Sequence, residues 1–245
     1  MKSELLNRIG LVLVATFLVS QFLFLLPLTA AALSRDGLHQ SSGSPMRWGR
    51  LRFTDQEGQK AWSYHPEGDL NLIRNLRSET DINLAFDFGV PHVDSLDEMV
   101  SYPLIFMHGQ HPVHLKEAHR SNLREYLRRG GFLFIDDCVL SGSQPDLFFR
   151  SMLLELPKIL PGVRMTNLEN DRNHEIFHCF YDMPDGAPHA QGRDHGLIGI
   201  YDGDRLVGVL SSSDLHCAWA QLLGSRSEQE CLRMATNIYV YAMTH

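Results

Sequence analysis

Apolar and polar positions along the chain follow two periods, one typical of strands and one typical of helices. Tyr102–Met107 and Phe132–Ile135 are short continuous apolar runs, which suit strands buried on both faces of a parallel sheet. Ile82–Phe88 alternates large apolar residues with smaller or polar ones, which predicts another strand. Leu115–Arg129 repeats apolar residues at helical spacing and is followed by Gly130, a residue typical of helix ends.

The alternation of strand and helix continues to the C-terminus. Further helices are predicted from Pro66 to about Thr80, over Asp146–Leu156 and from Ser227 onward. Asp202-Gly203 separates two apolar runs and is the strongest short hairpin signal in the chain. The sequence therefore predicts an α/β fold with a mostly parallel sheet, helices on both faces and a β-hairpin near residues 197–210.

The N-terminal segment differs in composition from the rest of the chain. Lys2 and Arg8 precede Ile9–Leu33, which contains no charged residue. This pattern indicates a secretory signal peptide, and the run is also long enough for a membrane anchor of about 20 residues. We therefore expect residues 1–33 to be a signal peptide or anchor, 34–46 a linker, and 47–245 a single exported domain. That domain is expected to be periplasmic or otherwise extracytoplasmic.

Charge and cysteine content narrow the range of partners. The formal net charge is −7 at pH 7, and a nucleic-acid-binding surface needs a basic face, so no nucleic-acid partner is expected. The four cysteines permit disulfides in an exported protein, but their spacing matches no compact disulfide framework. The predicted partner is a small molecule or another protein, together with the membrane if the N-terminal segment is not cleaved.

Polar residues follow the two buried apolar runs directly. The first run ends in His108-Gly109-Gln110-His111 and the second in Asp136-Asp137-Cys138. In open parallel sheets, ligands bind at the carboxyl ends of the strands. Acids placed after a buried strand are costly to desolvate unless they are paired, hydrogen-bonded or metal-bound. The sequence therefore predicts either a site built on these residues or a set of helix-capping and loop-forming side chains.

A second polar group, Ser213–Cys217, follows the predicted hairpin. Asp214 and His216 either join the strand-end site or cap the turn that follows, since Asp and Ser are common turn formers. Cys138 is either a small buried residue or a nucleophile, and His108 or His111 is its candidate base.

The sequence H-E-x-x-H at residues 174–178 matches the zinc-protease signature. Asn173 is a plausible N-cap and Pro184 a terminator, which predicts a short helix beginning at the motif. No third zinc ligand follows at the expected spacing, so His174 and His178 are interpreted as edge residues of an amphipathic helix or as ligand-binding residues. The prediction contains no metal ligand and no cofactor.

Several segments between Trp48 and Trp219 resemble the bacterial domain-of-unknown-function family DUF4159. The matching segments are RLRF, W-x-Y-x-P with the helix that follows it, YPLIFMHG, LRRGGFLFIDDC, H-x-I-F-H-x-F-Y and the text around His195–Leu206. In that family the residue after the first histidine of H-x-I-F-H is often proline, which implies that Glu175 is incidental.

The resemblance also implies a fold similar to class I glutamine amidotransferases, with a flavodoxin-like sheet. By this analogy, Gly109 corresponds to the oxyanion loop and Asp137 or Cys138 to the nucleophile elbow. The sequence departs from that pattern because Cys138 lacks the G-x-C-x-G surroundings and because no partner His and Glu occupy the positions expected for them toward the end of the chain.

Three hypotheses follow for the function. In the first, the exported domain binds a small molecule, sugar or peptide at the strand ends, or serves a membrane-associated assembly. In the second, it is a hydrolase of amidotransferase-like fold that uses Asp136, Asp137 and Cys138. In the third, which the sequence favours least, it is a zinc metalloprotease that uses His174 and His178. The ligand-binding residues in the first hypothesis are His108, Gly109, His111, His174, His178, Asp214 and His216.

Overall fold

The structure, a computed structural model, describes residues 43–56, 58, 60–139 and 146–245. These residues form a mixed α/β fold around a seven-stranded sheet of order β2-β1-β3-β4-β7-β6-β5. The strands are β1 (Met46–Arg50), β2 (Leu84–Gly89), β3 (Leu104–Gly109), β4 (Phe132–Asp137), β5 (Arg164–Asn167), β6 (Leu197–Asp202) and β7 (Arg205–Ser211). The helices are α1 (Pro66–Glu79), α2 (Leu96–Met99), α3 (Glu117–Arg128), α4 (Leu147–Ile159), α5 (Leu215–Trp219) and α6 (Ser225–Thr244).

The sheet is mostly parallel, as the apolar runs predict. Strands β2, β1, β3, β4 and β7 are parallel to one another, and β6 and β5 add an antiparallel margin. The predicted hairpin is confirmed: β6 and β7 pair antiparallel, and Gly203 in the connecting turn has a φ of 62°, a value that glycine adopts without strain. The continuous apolar runs become β3 and β4, in which every residue is buried.

Helices cover both faces of the sheet, which produces two apolar cores. Helices α1, α5 and α6 pack on one face against Trp48, Phe106 and Phe134. Helices α2, α3 and α4 pack on the other face against Ile105 and Ile135. Neighbouring residues of a strand therefore enter different cores, because side chains alternate across a strand.

The periodicity misplaces one residue of helix α1. The spacing of Leu70, Ile73 and Leu76 predicts that all three face the core, but Leu70 is 36% exposed. The buried face instead contains Asp69 together with Leu72, Ile73 and Leu76. The polar Asp69 lies on this face because it has a buried partner, which is described below.

The helix predicted over the H-E-x-x-H motif is wrong. Residues Glu175–Phe177 form one turn of 3-10 helix, and His178 already lies outside it. His174 and His178 are therefore not four residues apart on one face of an α-helix. Among the helices of the described residues, none is long and apolar enough to cross a membrane. The predicted signal peptide or anchor at 1–33 lies outside the described residues.

Candidate functional site

Polar side chains from four parallel strands converge at the carboxyl edge of the sheet. Strand β1 ends at Arg50, and the registers of β3, β4 and β7 place His108 opposite Asp136 and Asp136 opposite Ser211. Helices α1 and α5 contribute further polar residues from the layer above. We call the following eight residues, each at most 5% exposed, the strand-end cluster: Arg50, Asp69, His108, Asp136, Cys138, Asp214, His216 and Cys217.

A buried ion pair joins β1 to helix α1 in this cluster. The guanidinium of Arg50 donates to Asp69, whose other oxygen accepts a hydrogen bond of 2.7 Å from Trp48 Nε1. Burial lowers the pKa of Arg50, and Asp69 partly offsets that effect. Burial raises the pKa of Asp69, but hydrogen bonds from His216 and Trp48 and the charge of Arg50 outweigh it, so this pKa lies below its ordinary value. Both partners are therefore charged at neutral pH.

Two histidines lie side by side next to the ion pair. The rings of His108 and His216 are 4.3 Å apart between centroids. His216 Nε2 lies 3.2 Å from Asp69 Oδ2, and the backbone N–H of His216 donates to Asp136 Oδ2 over 2.9 Å. Burial lowers the pKa of both histidines, and the charges of His216 and Arg50 lower that of His108 further. His108 is therefore neutral at pH 7.

The two aspartates at the end of β4 face opposite sides of the sheet. Asp136 lies on the face of Phe134 and contacts His216. Asp137 lies on the face of Ile135, and its Oδ1 accepts a hydrogen bond of 3.0 Å from the backbone N–H of Phe149 in α4. Asp136, Asp137 and Cys138 are consecutive in the sequence but do not share one site. Asp136 and Cys138 belong to the strand-end cluster, and Asp137 does not.

Burial changes the protonation of the acidic groups at this edge. Burial and the negative charge of Asp214 raise the pKa of Asp136 well above its ordinary value. Burial also raises the pKa of Asp137 to about 7, against the hydrogen bond from Phe149. For Cys217, a hydrogen bond with Cys138, burial and the charge of Asp214 raise the pKa of the thiol. Without a further positive charge, Asp136 and Cys217 are therefore neutral at pH 7.

Two cysteines lie together at the carboxyl ends of β4 and β7. Cys138 Sγ and Cys217 Sγ are 3.9 Å apart, and both thiols are free. Gln110 Nε2, from the loop after β3, donates to Cys138 Sγ over 3.2 Å. The ligating atoms of His108, Cys138 and Asp214 all lie within 4.8 Å of one another. A base, a thiol and a carboxylate are thus within reach of each other at one point.

Asp214 connects the cluster to a covering loop. Its backbone has a φ of 51°, in the left-handed region, and its side chain caps α5 by accepting from Cys217 N. Its Oδ2 also accepts hydrogen bonds of 2.9 Å from Val139 N and 2.6 Å from Gln191 Nε2. Asp214 therefore caps the following helix, as one of the two interpretations of the sequence predicts. The same carboxylate also lies in the strand-end cluster, as the other predicts.

Several buried polar atoms of the cluster have no hydrogen-bond partner among the residues that the structure describes. A buried group without a partner costs about 1–3 kcal/mol, so each such group requires an explanation. The atoms of this kind in the cluster are Arg50 Nε, His108 Nε2, Asp136 Oδ1 and His216 Nδ1. They concentrate at the edge of the sheet where ligands bind in parallel α/β folds.

The other residues predicted from the same loop have different surroundings. Gly109 is fully buried at the end of β3, and a Cβ on it would lie 2.6 Å from the ring of Phe148. The close approach of this aromatic ring therefore explains a glycine at this position without an oxyanion role. His111 is half-buried at the rim of the edge.

His174 and His178 are not part of the cluster. His174 Nδ1 accepts from Ile176 N, and its Nε2 lies 3.1 Å from the hydroxyl of Tyr201 in β6. His178 contacts Asp182 and the carbonyl of Arg172. Every ring nitrogen in the motif therefore has a local structural partner, and the two side chains do not share a site.

Sequence reasoning missed Arg50 and Asp69. The alternating segment around Arg50 predicts only the end of a strand, and the position of Asp69 predicts only an acidic residue in the first turn of a helix. A signal for Asp69 does exist, because its spacing from Leu72, Ile73 and Leu76 places it on the apolar stripe of α1. No comparable signal marks Arg50, whose burial depends on the position of α1.

Comparison with known families agrees with the sequence resemblance. Residues 49–243 match the family described as Domain of unknown function (DUF4159). The chain belongs to the DUF4159 family. The matched region extends from β1 into α6 and includes every residue of the strand-end cluster. No curated protein matches the chain. Membership in DUF4159 therefore identifies the domain but does not assign a reaction or a ligand to it.

Proposed function

We propose that this DUF4159 domain binds a small, neutral or cationic polar molecule at the carboxyl edge of its parallel strands. The observation that carries the proposal is the convergence of eight buried polar or thiol side chains at that edge, which come from β1, β3, β4, α1, α5 and the residues just after β4 and β7. A core that needed only stability would be expected to hold apolar residues there, because each buried polar group must find a partner. Four atoms of this cluster have none within the described part of the chain.

The strand order supports the choice of this edge. The five parallel strands run β2-β1-β3-β4-β7, which is the 2-1-3-4-5 order of flavodoxin-like sheets. Such sheets bind ligands where the strand order reverses, between the first and third strands. Arg50 and His108 stand at the carboxyl ends of those two strands here. We therefore infer a flavodoxin-like fold, similar to amidotransferases, with its ligand at this switch point.

Charge favours a neutral or cationic ligand. Three aspartates of the cluster, Asp69, Asp136 and Asp214, lie at this edge with its one guanidinium, Arg50. That guanidinium is already paired with Asp69. An anion would therefore meet carboxyl groups, and the cluster has no second cation to compensate it, whereas hydroxyl or ammonium groups would find acceptors. Sugars and peptides carry such groups.

The location of the domain forms part of the same proposal. A basic start followed by an uncharged apolar run in residues 1–33 supports export, with cleavage or anchoring as the two outcomes. Residues 34–46 would then link the membrane side to one domain over 47–245. The ligand would be a molecule found outside the cytoplasm, or a partner protein of a membrane-associated assembly.

The test is a ligand screen of the purified chain with matched variants. Neutral sugars, amino acids, short peptides and polyamines are screened by thermal shift, and hits are measured by calorimetry. Asp136→Asn should weaken binding by about 10-fold, because the single oxygen of Asn cannot accept from both His216 N and the ligand, and a buried group left without a partner costs about 1–3 kcal/mol. Asp137→Asn is the matched control, since Asp137 is the next residue of β4 but faces the other core.

The control decides how the result is interpreted. Retained affinity in Asp137→Asn, with loss in Asp136→Asn, supports a site on the face of the strand-end cluster. Equal losses in both variants, or no stabilisation by any compound in the screen, would count against the proposal.

A hydrolase is the second candidate, and one observation favours it. His108, Cys138 and Asp214 lie within 4.8 Å of one another and could act as base, nucleophile and orienting acid. Against it, the hydrogen bonds of Cys138 Sγ among the described residues are with Gln110 and Cys217 and not with His108. Alkylation with iodoacetamide across pH distinguishes the two: a nucleophile should react far faster than Cys179, and a packed thiol should not.

A further inference from the structure

We propose that the strand-end cluster contains a zinc site formed by His108, Cys138, Asp214 and Cys217. The ligating atoms of the first three lie within 4.8 Å of one another, and all three residues are buried. Atoms bound to one tetrahedral zinc ion are about 3.3–3.8 Å apart, given its bond lengths of about 2.0–2.3 Å. An inward movement of about 1 Å would therefore bring the three atoms to coordination distance.

We assign the fourth ligand to Cys217, which lies beside the group of three atoms and not within it. Its Sγ lies 3.9 Å from Cys138 Sγ. Two thiolates bound to tetrahedral zinc are separated by about 3.8 Å, because each Zn–S bond is about 2.3 Å long. A disulfide would require the two sulfur atoms to approach to about 2.05 Å. The observed separation therefore agrees with a shared metal ion better than with a disulfide.

An unpaired buried nitrogen provides independent support. His108 is 0% exposed, and its Nε2 has no hydrogen-bond partner in residues 43–56, 58, 60–139 and 146–245. Its other ring nitrogen, Nδ1, is 3.5 Å from Arg50 Nη2, beyond the usual range of a strong hydrogen bond. A metal ion at Nε2 would satisfy this atom, as imidazole nitrogen is among the commonest zinc ligands.

The surroundings resemble the outer shell of a metal site. Ligating carboxylates and sulfur atoms are commonly oriented by hydrogen bonds from their neighbours. Asp214 accepts from Val139 N and Gln191 Nε2, and Cys138 accepts from Gln110 Nε2. These donors come from three different loops, so the ligands are held from several sides.

Donor chemistry and charge identify the metal. Two sulfur atoms with one imidazole and one carboxylate suit zinc, whereas magnesium and calcium prefer oxygen alone. On binding, the thiols of Cys138 and Cys217 lose their protons to solvent. The two thiolates and the Asp214 carboxylate then exceed the charge of Zn²⁺ by one, and the ion pair of Arg50 with Asp69 is itself neutral.

This inference goes beyond the proposed ligand binding, because the zinc site stands whether or not an organic molecule binds at the edge. It also conflicts with the hydrolase candidate, since a zinc-bound Cys138 is not a free nucleophile. Failure of the ligand screen and failure of zinc binding are therefore separate results.

The test is metal binding by the full chain, purified in mild detergent, stripped with a chelator and titrated with Zn²⁺ or Co²⁺. We expect one zinc ion per chain by mass spectrometry of the elements. The cobalt form should show a sulfur-to-cobalt charge-transfer band and a tetrahedral d–d spectrum. The spectra use the unaltered chain, so they remain decisive even where a variant fails to fold.

Variants locate the ion. Cys138→Ser and Cys217→Ser should each weaken zinc binding by more than the roughly 10–100-fold that is typical of substitutions around the ligands, and each should remove part of the charge-transfer intensity. Cys179→Ser and the pair His174→Ala with His178→Ala are the controls and should bind zinc normally. The proposal is overturned by absence of stoichiometric zinc, by a cobalt spectrum without sulfur ligation, by zinc lost only in the histidine control, or by a Cys138–Cys217 disulfide in the chain purified without reductant.

Discussion

The buried ion pair between Arg50 and Asp69 leads to a strong prediction about stability. Asp69→Asn keeps the shape of the side chain and removes its charge. Arg50 is 1% exposed and would then be a buried cation without a counter-charge. Removing one partner of a buried pair costs about 3–5 kcal/mol, and hydrogen bonds from Trp48 and His216 would weaken as well. We therefore expect Asp69→Asn to lower the free energy of unfolding by at least about 3 kcal/mol.

The assay is urea unfolding of the purified chain, followed by the fluorescence of its tryptophans, of which Trp48 and Trp219 are fully buried. Arg50→Met removes the other charge, and the double variant removes both. Because the double variant leaves no unpaired charge, it should be more stable than the sum of the two single effects implies. The exposed pair Arg47–Asp87 provides the matched control, and Asp87→Asn should change stability by less than about 1 kcal/mol.

Two results would refute this reasoning. One is an Asp69→Asn variant within about 1 kcal/mol of the unaltered chain, which would mean that Arg50 does not depend on its partner. The other is additivity of the two single variants, which would mean that their charges are not coupled.

Three further predictions concern other parts of the fold. Gly109→Ala should destabilise the domain by about 1–3 kcal/mol in the same unfolding assay, because the added Cβ overlaps the ring of Phe148; a neutral effect would show that α4 yields easily. Burial raises the pKa of Glu155, but its hydrogen bonds with Arg120 and Lys158 outweigh burial and set the pKa below the value in the unfolded chain. Ionised Glu155 therefore contributes roughly 1 kcal/mol to stability at pH values above its unfolded pKa, and this contribution is lost as the pH falls through the folded pKa. Unfolding measured from pH 7 to pH 3 should therefore decline less in Glu155→Gln, and parallel curves would contradict the prediction. His174→Ala should cost about 0.5–2 kcal/mol through loss of its cap on Ile176 N without changing zinc content, and an unchanged midpoint in urea would show that this cap is not important.

Much of the sheet could be predicted because its signals are local. Leu104–Met107 of the first apolar run and Phe132–Ile135 lie in fully buried strands, and Asp202-Gly203 lies at the predicted turn. The polar residues that follow those runs lie at the carboxyl edge, as the parallel topology requires. The H-E-x-x-H segment shows the limit of this reasoning: its spacing fits one face of an α-helix, but the backbone makes only one 3-10 turn there. Local hydrogen bonds of His174 and His178 take the place of helical ones.

The sequence by itself determined the α/β class, the hairpin and the presence of His108, Asp136 and Cys138 at strand ends, because runs of apolar residues and turn dipeptides act over a few neighbours. Only the tertiary structure decided which of those residues meet. The two-residue period of β4 sends Asp136 and Asp137 to different cores, and the packing of α1 and α5 brings Asp69 and His216 to Arg50. Asp69 pairs with Arg50 across 19 positions of the chain and with His216 across 147. These contacts depend on how the helices pack on the sheet, so no local sequence pattern predicts them.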